Sequence, residues 1–250
     1  MTTRQKVEMK TEQLYKFDSY RRTFDGVVQE SSPSGVILDQ TAFYPNGGGQ
    51  PNDRGALQAG SDRWLVSNVE LDHGKITHAI EGIPPKTGTK VRGSVDWDLR
   101  FRYMRLHTAL HALSGVVWSG WGADVTGSHI AKTGDRARMD FALEGIRINT
   151  IRQEIEDKLN EELAVSREVK VYSLPRTEAF ALPDLIRTHV NLLPKDIQDV
   201  RIVDIVDLDR QADGGTHVAN TSEVGRVQIL NAVNKGRINR RLEISLVDTS

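Results

Sequence analysis

The sequence has no cysteine, no long apolar run and no excess of charge of either sign. Without cysteine there can be no disulfide, no thiol nucleophile and no thiolate metal site, so any metal must be bound by His, Asp or Glu. The 33 basic residues nearly balance the 34 acidic ones, which argues against a coat protein for nucleic acid. A local basic patch remains compatible with binding to one end of an RNA.

No segment approaches the roughly 20 consecutive apolar residues that a membrane helix needs. The N-terminal residues are polar and lack the apolar core of a signal peptide. Hydrophobic residues make up 38% of the chain, which is enough for an ordinary globular core. We therefore expect a cytoplasmic protein with no membrane partner.

Residues 1–95 show the alternation and turn spacing of short β-strands, which predicts a small β-barrel-like domain. The strand pattern of residues 62–80 breaks at Asp72-His73-Gly74, a typical hairpin turn. His73 in this turn and His78 on the following strand are expected to face solvent.

Residues 96–250 are predicted to form a second, α+β domain, an antiparallel sheet with helices. A helix begins at Asp98 and has an apolar side formed by Leu106, Ala109, Leu110 and Leu113. A second helix is predicted from about Thr150 to Ala164, with a hairpin before it and four strands after it.

Four residues of this second domain form a candidate metal site. His107 and His111 are four residues apart on the first helix, which places both imidazoles on one face. The pattern HTALH lacks the glutamate of zincin peptidases, so a peptidase is set aside. Downstream, Asp213 and His217 flank a glycine-containing loop. Three nitrogen donors and one oxygen donor suit zinc.

The segment TAFYPNGGGQPNDRG, residues 41–55, contains three consecutive glycines. Glycines let the main chain approach a ligand and leave N–H groups able to donate. The segment lacks the lysine and hydroxyl residue of a phosphate-binding loop. Its polar residues favour recognition of a small polar group.

These motifs, with DGGTHVANTSEVG and KGRINRR near the C-terminus, resemble the editing domain of alanyl-tRNA synthetase. The similarity is greater to the stand-alone AlaX editing proteins of the medium-length type, and it extends from about Gly35 to Ile244. No aminoacylation motif of a class II synthetase is found. The resemblance implies an editing protein that acts in trans.

The resemblance also implies roles for individual residues. His107, His111 and His217 match zinc ligands, while Asp213 stands where the synthetase usually has cysteine. Thr41 matches a threonine that reads the hydroxyl of a misacylated serine. The residues implied to bind substrate are Thr41, Gly47, Gly48, Gly49, Gln50, Gly127 and Ser128. The residues predicted to act in catalysis are Thr41, Gln50, His107 and His111. Val125 replaces a glutamine of the synthetase pocket.

Two groups of basic residues are predicted to contact tRNA phosphates. They are Arg100, Arg102 and Arg105 before the histidine pair, and Lys235, Arg237, Arg240 and Arg241 near the C-terminus.

The predicted function is zinc-dependent hydrolysis of mischarged tRNA(Ala), mainly seryl-tRNA(Ala) and also glycyl-tRNA(Ala). Three alternatives stay open: a zinc hydrolase of another ester or amide, a zinc-stabilised RNA-binding module without turnover, and editing of seryl-tRNA(Thr).

Overall fold

Six strands in the first hundred residues close into a barrel, as their alternation predicts. The computed structural model describes residues 10–189, 193 and 197–247. The strands in this part of the chain are β1 (Glu12–Gln13), β2 (Thr23–Ser32), β3 (Gly35–Leu38), β4 (Gln40–Thr41), β5 (Gly55–Ala59), β6 (Asp62–Asp72), β7 (Lys75–Ile80) and β8 (Lys90–Val95). Their order around the barrel is β2, β3, β7, β6, β5, β8, while β1 pairs with β4 in parallel.

The barrel is filled by the inward side chains of its strands. Strand β8, for example, alternates exposed and buried residues along its whole length. The core side chains of the barrel strands are Phe24, Val28, Val36, Leu38, Leu57, Val66, Val69, Ile76, Val91 and Val95. The predicted hairpin is confirmed: β6 and β7 pair up to Asp72 and Lys75, and His73 in the turn is exposed.

The chain packs as two units. Among the described residues, the first unit contains residues 10–46 and Asn52–Arg100, and the second contains Gly47–Pro51 and the residues after Arg100. Five residues of the glycine-rich segment therefore pack with the second unit, although the residues on both sides of them belong to the first. The separate functions predicted for residues 1–95 and 96–250 stay a prediction.

The second unit combines helices with two antiparallel sheets, so the chain belongs to the α+β class. Its elements are α1 (Trp97–Trp121, which begins in the first unit), β9 (Val125–Ile130), β10 (Ala137–Ala142), α2 (Ile148–Ala164), β11 (Val169–Pro175), α3 (Arg176–Ala179), β12 (Asp199–Ile205), β13 (Asp209–Ala212), β14 (Arg226–Lys235) and β15 (Asn239–Val247). One sheet has the order β14, β15, β10, β9, and the other has the order β11, β12, β13. Within the described residues, no helix has the length and apolar character needed to cross a membrane.

Helix α1 is more deeply buried than its sequence suggests. The pattern predicts one apolar side, but every residue from Leu106 to Val117 is buried. A helix that is covered on all sides must find partners for its polar side chains, because an unpaired buried polar group costs about 1–3 kcal/mol. His107 and His111 belong to this buried stretch, so their ring nitrogens need partners within the protein.

Arg100 is part of a buried ion pair in the first unit. It has no exposed surface, and it binds the carboxylate of Asp53 through Nε at 2.8 Å and through Nη2. The same guanidinium donates to the carbonyl oxygens of Ala42 at 2.7 Å and Ser19 at 3.0 Å. The prediction that Arg100 contacts tRNA phosphates is therefore wrong, because its charge and its donors are used inside the protein.

Removing the carboxylate partner should destabilise the protein strongly. In Asp53→Asn, Arg100 would remain buried without a counter-charge, and we expect the free energy of unfolding to fall by about 3–5 kcal/mol. Urea denaturation measures this change. Asp62→Asn on an exposed position of the same barrel is the control, with an expected change within about 0.5 kcal/mol. Similar stability of the two variants would contradict a structural role for the Arg100–Asp53 pair.

Candidate metal centre

Three histidines and one aspartate meet in the second unit. His107 and His111 lie one turn apart on α1, and Asp213 and His217 lie on the loop that follows β13. One donor atom of each residue lies within 4.8 Å of all the others. The structure thus brings together the four residues that the sequence predicts as metal ligands.

Two of the distances between these donor atoms are close to those in a tetrahedral zinc site. Nε2 of His217 is 3.1 Å from Oδ2 of Asp213, and Nε2 of His107 is 3.6 Å from Oδ1 of the same carboxylate. Zinc bonds of about 2.0–2.1 Å place neighbouring donor atoms about 3.3 Å apart in a tetrahedron. The rings of His107 and His217 are stacked, with centroids 4.4 Å apart. The donor set and its spacing are therefore compatible with zinc.

The ring of His107 is oriented by Gln50 from the glycine-rich segment. Nδ1 of His107 is 3.0 Å from Oε1 of Gln50, and the main-chain N–H of Thr216 donates to the same oxygen at 3.0 Å. The amide nitrogen of Gln50 donates to Oγ1 of Thr216 at 2.9 Å. Because an amide oxygen only accepts, His107 carries its proton on Nδ1 and leaves Nε2 as a donor to metal. Gln50 is 2% exposed, so its contacts support a role in positioning His107.

The ring of His111 is oriented by a carboxylate that the sequence analysis missed. Its Nδ1 is 3.0 Å from Oδ2 of Asp209, and the side chain of Asp209 has no exposed surface. Arg187 binds the other oxygen of Asp209 at 2.8 Å, and Gln211 donates to both. A carboxylate behind a histidine ligand fixes the ring and makes it a stronger donor.

His217 has a partner that can switch between donor and acceptor. Its Nδ1 is 3.1 Å from the hydroxyl of Thr108, which also accepts the N–H of Val218 at 3.3 Å. With the proton on Nε2, His217 donates to Asp213; with the proton on Nδ1, it donates to Thr108 and leaves Nε2 for a metal. Rotation of the Thr108 hydroxyl therefore accommodates both states of the ring.

Burial favours neutral rings at His107 and His217, whereas His111 shifts in the opposite direction. Burial lowers the pKa of His107 to about 4, against the opposing charge of Asp213. Burial, reinforced by His107, holds the pKa of His217 well below its usual value. The pKa of His111 is raised: burial alone would lower it, but the hydrogen bond to Asp209 and the negative charges nearby outweigh burial.

The pKa of Asp213 lies well below its usual value. Burial would raise this pKa, but the charges of His107, His217 and His111 and the hydrogen bond with His217 overcome that effect. Asp213 is therefore an anion at neutral pH. Together with the lone pairs of neutral His107 and His217, it forms a buried donor set suited to a cation.

The glycine-rich turn lies directly beside this cluster. A Cβ atom added to Gly48 would be 3.4 Å from Oδ1 of Asp213, and one added to Gly49 would be 2.9 Å from the carbonyl oxygen of Ser128. Gly49 also has a φ of +86°, a backbone conformation that disfavours residues with a side chain. Steric contact and backbone conformation therefore both exclude a side chain at Gly49. Ile130 donates its N–H to Gly49 at 2.8 Å, which ties the turn to β9. Of the predicted substrate residues, Gly48 thus lies close to Asp213, and Ser128 adjoins the same turn.

Thr41 belongs to the first unit and has no exposed surface. Its Oγ1 is 2.8 Å from Nε2 of His78 and accepts the N–H of Phe43 at 3.1 Å.

The expectation that His78 faces solvent is wrong: it is fully buried, and its Nδ1 lies 3.3 Å from the carbonyl oxygen of Val36. Burial lowers the pKa of His78 to about 4, so the ring is neutral at pH 7. Because Nδ1 donates to a carbonyl, Nε2 accepts the proton of the Thr41 hydroxyl.

The predicted tRNA-binding residues differ widely in their surroundings. Arg240 is 6% exposed and donates to four carbonyl oxygens, including those of Ile146 and Gly236. The prediction that Arg240 contacts tRNA phosphates is therefore wrong, since its guanidinium donors already bind main-chain carbonyl oxygens. Arg102 and Arg105 are half-buried and donate to the carbonyl oxygens of Gly134 and Val224.

The other C-terminal basic residues reach the surface. Lys235 is exposed, and the side chain of Arg237 is 78% exposed while pairing with Glu144 at 2.6 Å. Arg241 binds Asp140 through two nitrogens at 2.6 and 2.7 Å. These three residues stay predictions as tRNA contacts.

Sequence reasoning missed the residues that hold the ligand rings. Asp209 belongs to no motif and differs in no visible way from the neighbouring Asp207, and Thr108 lies within HTALH without an assigned role. A usable signal is chemical: a histidine ligand nearly always has a hydrogen-bond acceptor for its second nitrogen. Polar residues next to the predicted ligands, such as Thr108 beside His107, are therefore candidates for that role.

Comparison with known proteins gives matches along the chain. Residues 3–99 match a family model described as tRNA synthetases class II (A), and residues 200–243 match the threonyl and alanyl tRNA synthetase second additional domain. The alanyl-tRNA editing protein AlaX-M of Methanosarcina barkeri is 38% identical, over 95% of this chain and 100% of that protein. AlaX-M of Saccharolobus solfataricus is 40% identical, over 93% and 97%. The alanine–tRNA ligase of Ignicoccus hospitalis is 34% identical over 88% of this chain, but only 24% of the ligase is covered.

The close approach of Gly215 to His107 allows a test of the metal site. In Gly215→Ala the new Cβ would clash with Cε1 and Nδ1 of the His107 ring. The ring of His107 must then shift, which disturbs its hydrogen bond with Gln50, and we expect zinc affinity to fall roughly 10–100-fold. Gly214→Ala is the matched control, because a Cβ there meets no atom of the described residues within 4 Å. Competition with a chromophoric chelator measures both affinities, and equal values would contradict the described orientation of His107.

Proposed function

Because the chain belongs to the alanyl-tRNA editing protein AlaX-M family, we propose that it hydrolyses the ester bond of mischarged tRNA(Ala) in trans, in the cytoplasm. The main substrate is seryl-tRNA(Ala), and glycyl-tRNA(Ala) is a second one. The observation that carries the proposal is the buried set of His107, His111, Asp213 and His217 beside the glycine-rich turn. An ester of this kind is already labile, so a protein mainly has to position it and stabilise developing charge.

Zinc is the proposed cofactor. The residues that would hold it are His107, His111, His217 and Asp213, since imidazole and carboxylate donors suit zinc in four-coordinate or open geometry. When bound, zinc supplies positive charge that polarises an oxygen atom of substrate or water. A purely structural zinc site would favour cysteine ligands, and the chain contains none.

The protein's own residues orient the histidine rings and leave room for the substrate. Gln50 and Asp209 keep the protons of His107 and His111 on Nδ1, so the ligand nitrogens stay available. Gly48 and Ser128 line the place next to Asp213. Without a side chain, Gly48 lets an aminoacyl group approach the main chain closely. The proposed substrate residues Gly47, Gly49 and Gly127 adjoin this place in the sequence.

Selection of serine over alanine needs a contact with one hydroxyl group. A pocket with a hydrogen-bonding group can reject alanine, because that group would be left unpaired. We assign this contact to Thr41. Its proton is donated to His78 and one lone pair accepts from Phe43, so a lone pair remains to accept a proton from the serine hydroxyl. Thr41 has no exposed surface, so binding requires movement of the atoms that cover it.

The proposed tRNA contacts are Arg102, Arg105, Lys235, Arg237 and Arg241. Lys235 and Arg237 have the greatest exposure, and exposed cations contribute to RNA binding through release of counterions from phosphates. The similarity to two AlaX-M proteins over nearly their whole length favours tRNA(Ala) over tRNA(Thr) as the partner.

A deacylation assay tests the proposed function. Purified protein is mixed with tRNA(Ala) carrying labelled serine, glycine or alanine, and with seryl-tRNA(Thr), with and without a strong chelator. We expect rapid loss of serine, slow loss of alanine, inhibition by the chelator and recovery on addition of zinc. Loss of serine no faster than in buffer, with zinc bound, would contradict the hydrolase and favour an RNA-binding module. Preference for seryl-tRNA(Thr) would contradict the assigned tRNA.

The role of Thr41 can be tested with a matched pair of variants. Thr41→Val keeps the shape and removes the hydroxyl, so we expect the ratio of serine to alanine deacylation to fall roughly tenfold with zinc content unchanged. Thr11→Val is the control, because Thr11 is also buried, donates to Leu38 and accepts from Ile76 in the same unit. A ratio that changes equally in both variants would assign Thr41 a structural role only.

A further inference from the structure

The segment around Arg187 is attached to strand β9 through the main chain. The N–H of Val125, the first residue of β9, donates to the carbonyl oxygen of Arg187 at 2.8 Å. The N–H of His189 donates back to the carbonyl oxygen of Val125 at 2.8 Å. Strand β9 also carries Gly127 and Ser128, which are proposed to bind substrate. Arg187 is thus fixed to one end of the strand that forms part of the proposed pocket.

The side chain of Arg187 reaches the metal centre. It is 12% exposed, and Nη1 binds Oδ1 of Asp209 at 2.8 Å. The other oxygen of Asp209 is 3.0 Å from Nδ1 of His111. The guanidinium also lies 5.4 Å from the ring centroid of Trp118 on α1. Two consecutive hydrogen bonds therefore link Arg187 to a metal ligand.

The other end of β9 is linked to a second ligand. Ile130, the last residue of the strand, donates its N–H to Gly49 at 2.8 Å. Gln50, the next residue after Gly49, accepts from Nδ1 of His107. The strand is therefore held at each end by a residue or turn that also orients one histidine of the cluster.

We propose that Arg187 and Asp209 are positioning residues that couple metal binding at His111 to the conformation of β9. A metal on His111 keeps the ring proton on Nδ1 and so strengthens the hydrogen bond to Asp209, which in turn holds Arg187 and the start of the strand. Coupling is reciprocal, so ordering of β9 must also raise metal affinity. The inference rests on the proposed metal site and does not depend on the identity of the substrate.

Hydrogen exchange followed by NMR tests this coupling in the full chain, with zinc alone as the probe. In the wild-type protein, zinc should slow exchange of the amides of Val125 and His189. In Arg187→Met this protection should be lost, and zinc affinity should fall roughly 5–100-fold. Asp209→Asn should lower zinc affinity roughly 10–100-fold. Arg187→Lys, which keeps the positive charge, should recover part of both effects.

The matched control is Arg167→Met. Arg167 is a half-buried arginine of the same unit that binds Glu162 at 2.6 Å and donates to Val206. It makes no described contact with the metal ligands, so its variant should keep wild-type zinc affinity and wild-type protection at Val125.

Two results would overturn the proposal. If Arg187→Met keeps both wild-type affinity and zinc-dependent protection, Arg187 does not couple the two features, while the proposed metal site stands. If the wild-type protein binds no zinc, the metal site and the coupling fail together. If Arg187→Met does not fold, zinc affinity and zinc-dependent amide protection are measured in Asp209→Asn and Arg187→Lys instead. Wild-type values in both of these variants would then overturn the proposal.

Discussion

A buried imidazole has two nitrogens, and both need partners. This constraint shapes the second unit, because α1 is covered on all sides and carries His107 and His111 within its buried stretch. One nitrogen of each ring finds its acceptor in the protein: Gln50 for His107 and Asp209 for His111. The acceptors come from the glycine-rich turn and from β13, which are far apart in the sequence. The ligand nitrogens can converge only when these distant segments are folded against α1.

The same constraint explains what the sequence could reveal. A spacing of four residues puts His107 and His111 on one helix face, and Asp213 and His217 lie on one glycine-containing loop. The four residues of the candidate metal site could therefore be predicted from the sequence. The alternation of residues 62–80 was enough to predict the hairpin of β6 and β7. Both inferences depend on local geometry, which a helix or a hairpin imposes directly.

Burial and long-range partners were not predictable in this way. His78 and Arg100 look like exposed polar residues, yet each is fully buried with partners that lie far from it in the chain. Arg240 lies in a basic run, and its charge is nevertheless turned toward main-chain carbonyl oxygens. A single sequence shows residue type and spacing, but the side of an element that becomes covered depends on the rest of the fold. Asp209 illustrates the same limit, since only the folded chain places it behind His111.

The candidate centre contains a carboxylate, that of Asp213, and no thiolate, which decides how it can be damaged. Thiolate ligands are oxidised stepwise to sulfenic, sulfinic and sulfonic acids, and they can be trapped as disulfides. A centre of imidazole and carboxylate groups, in a chain without any cysteine, has no atom that enters this series. Sulfur oxidation and disulfide exchange therefore find no target among its donor atoms. The chain can keep its candidate metal centre under oxidising conditions that would disable a thiolate-containing counterpart.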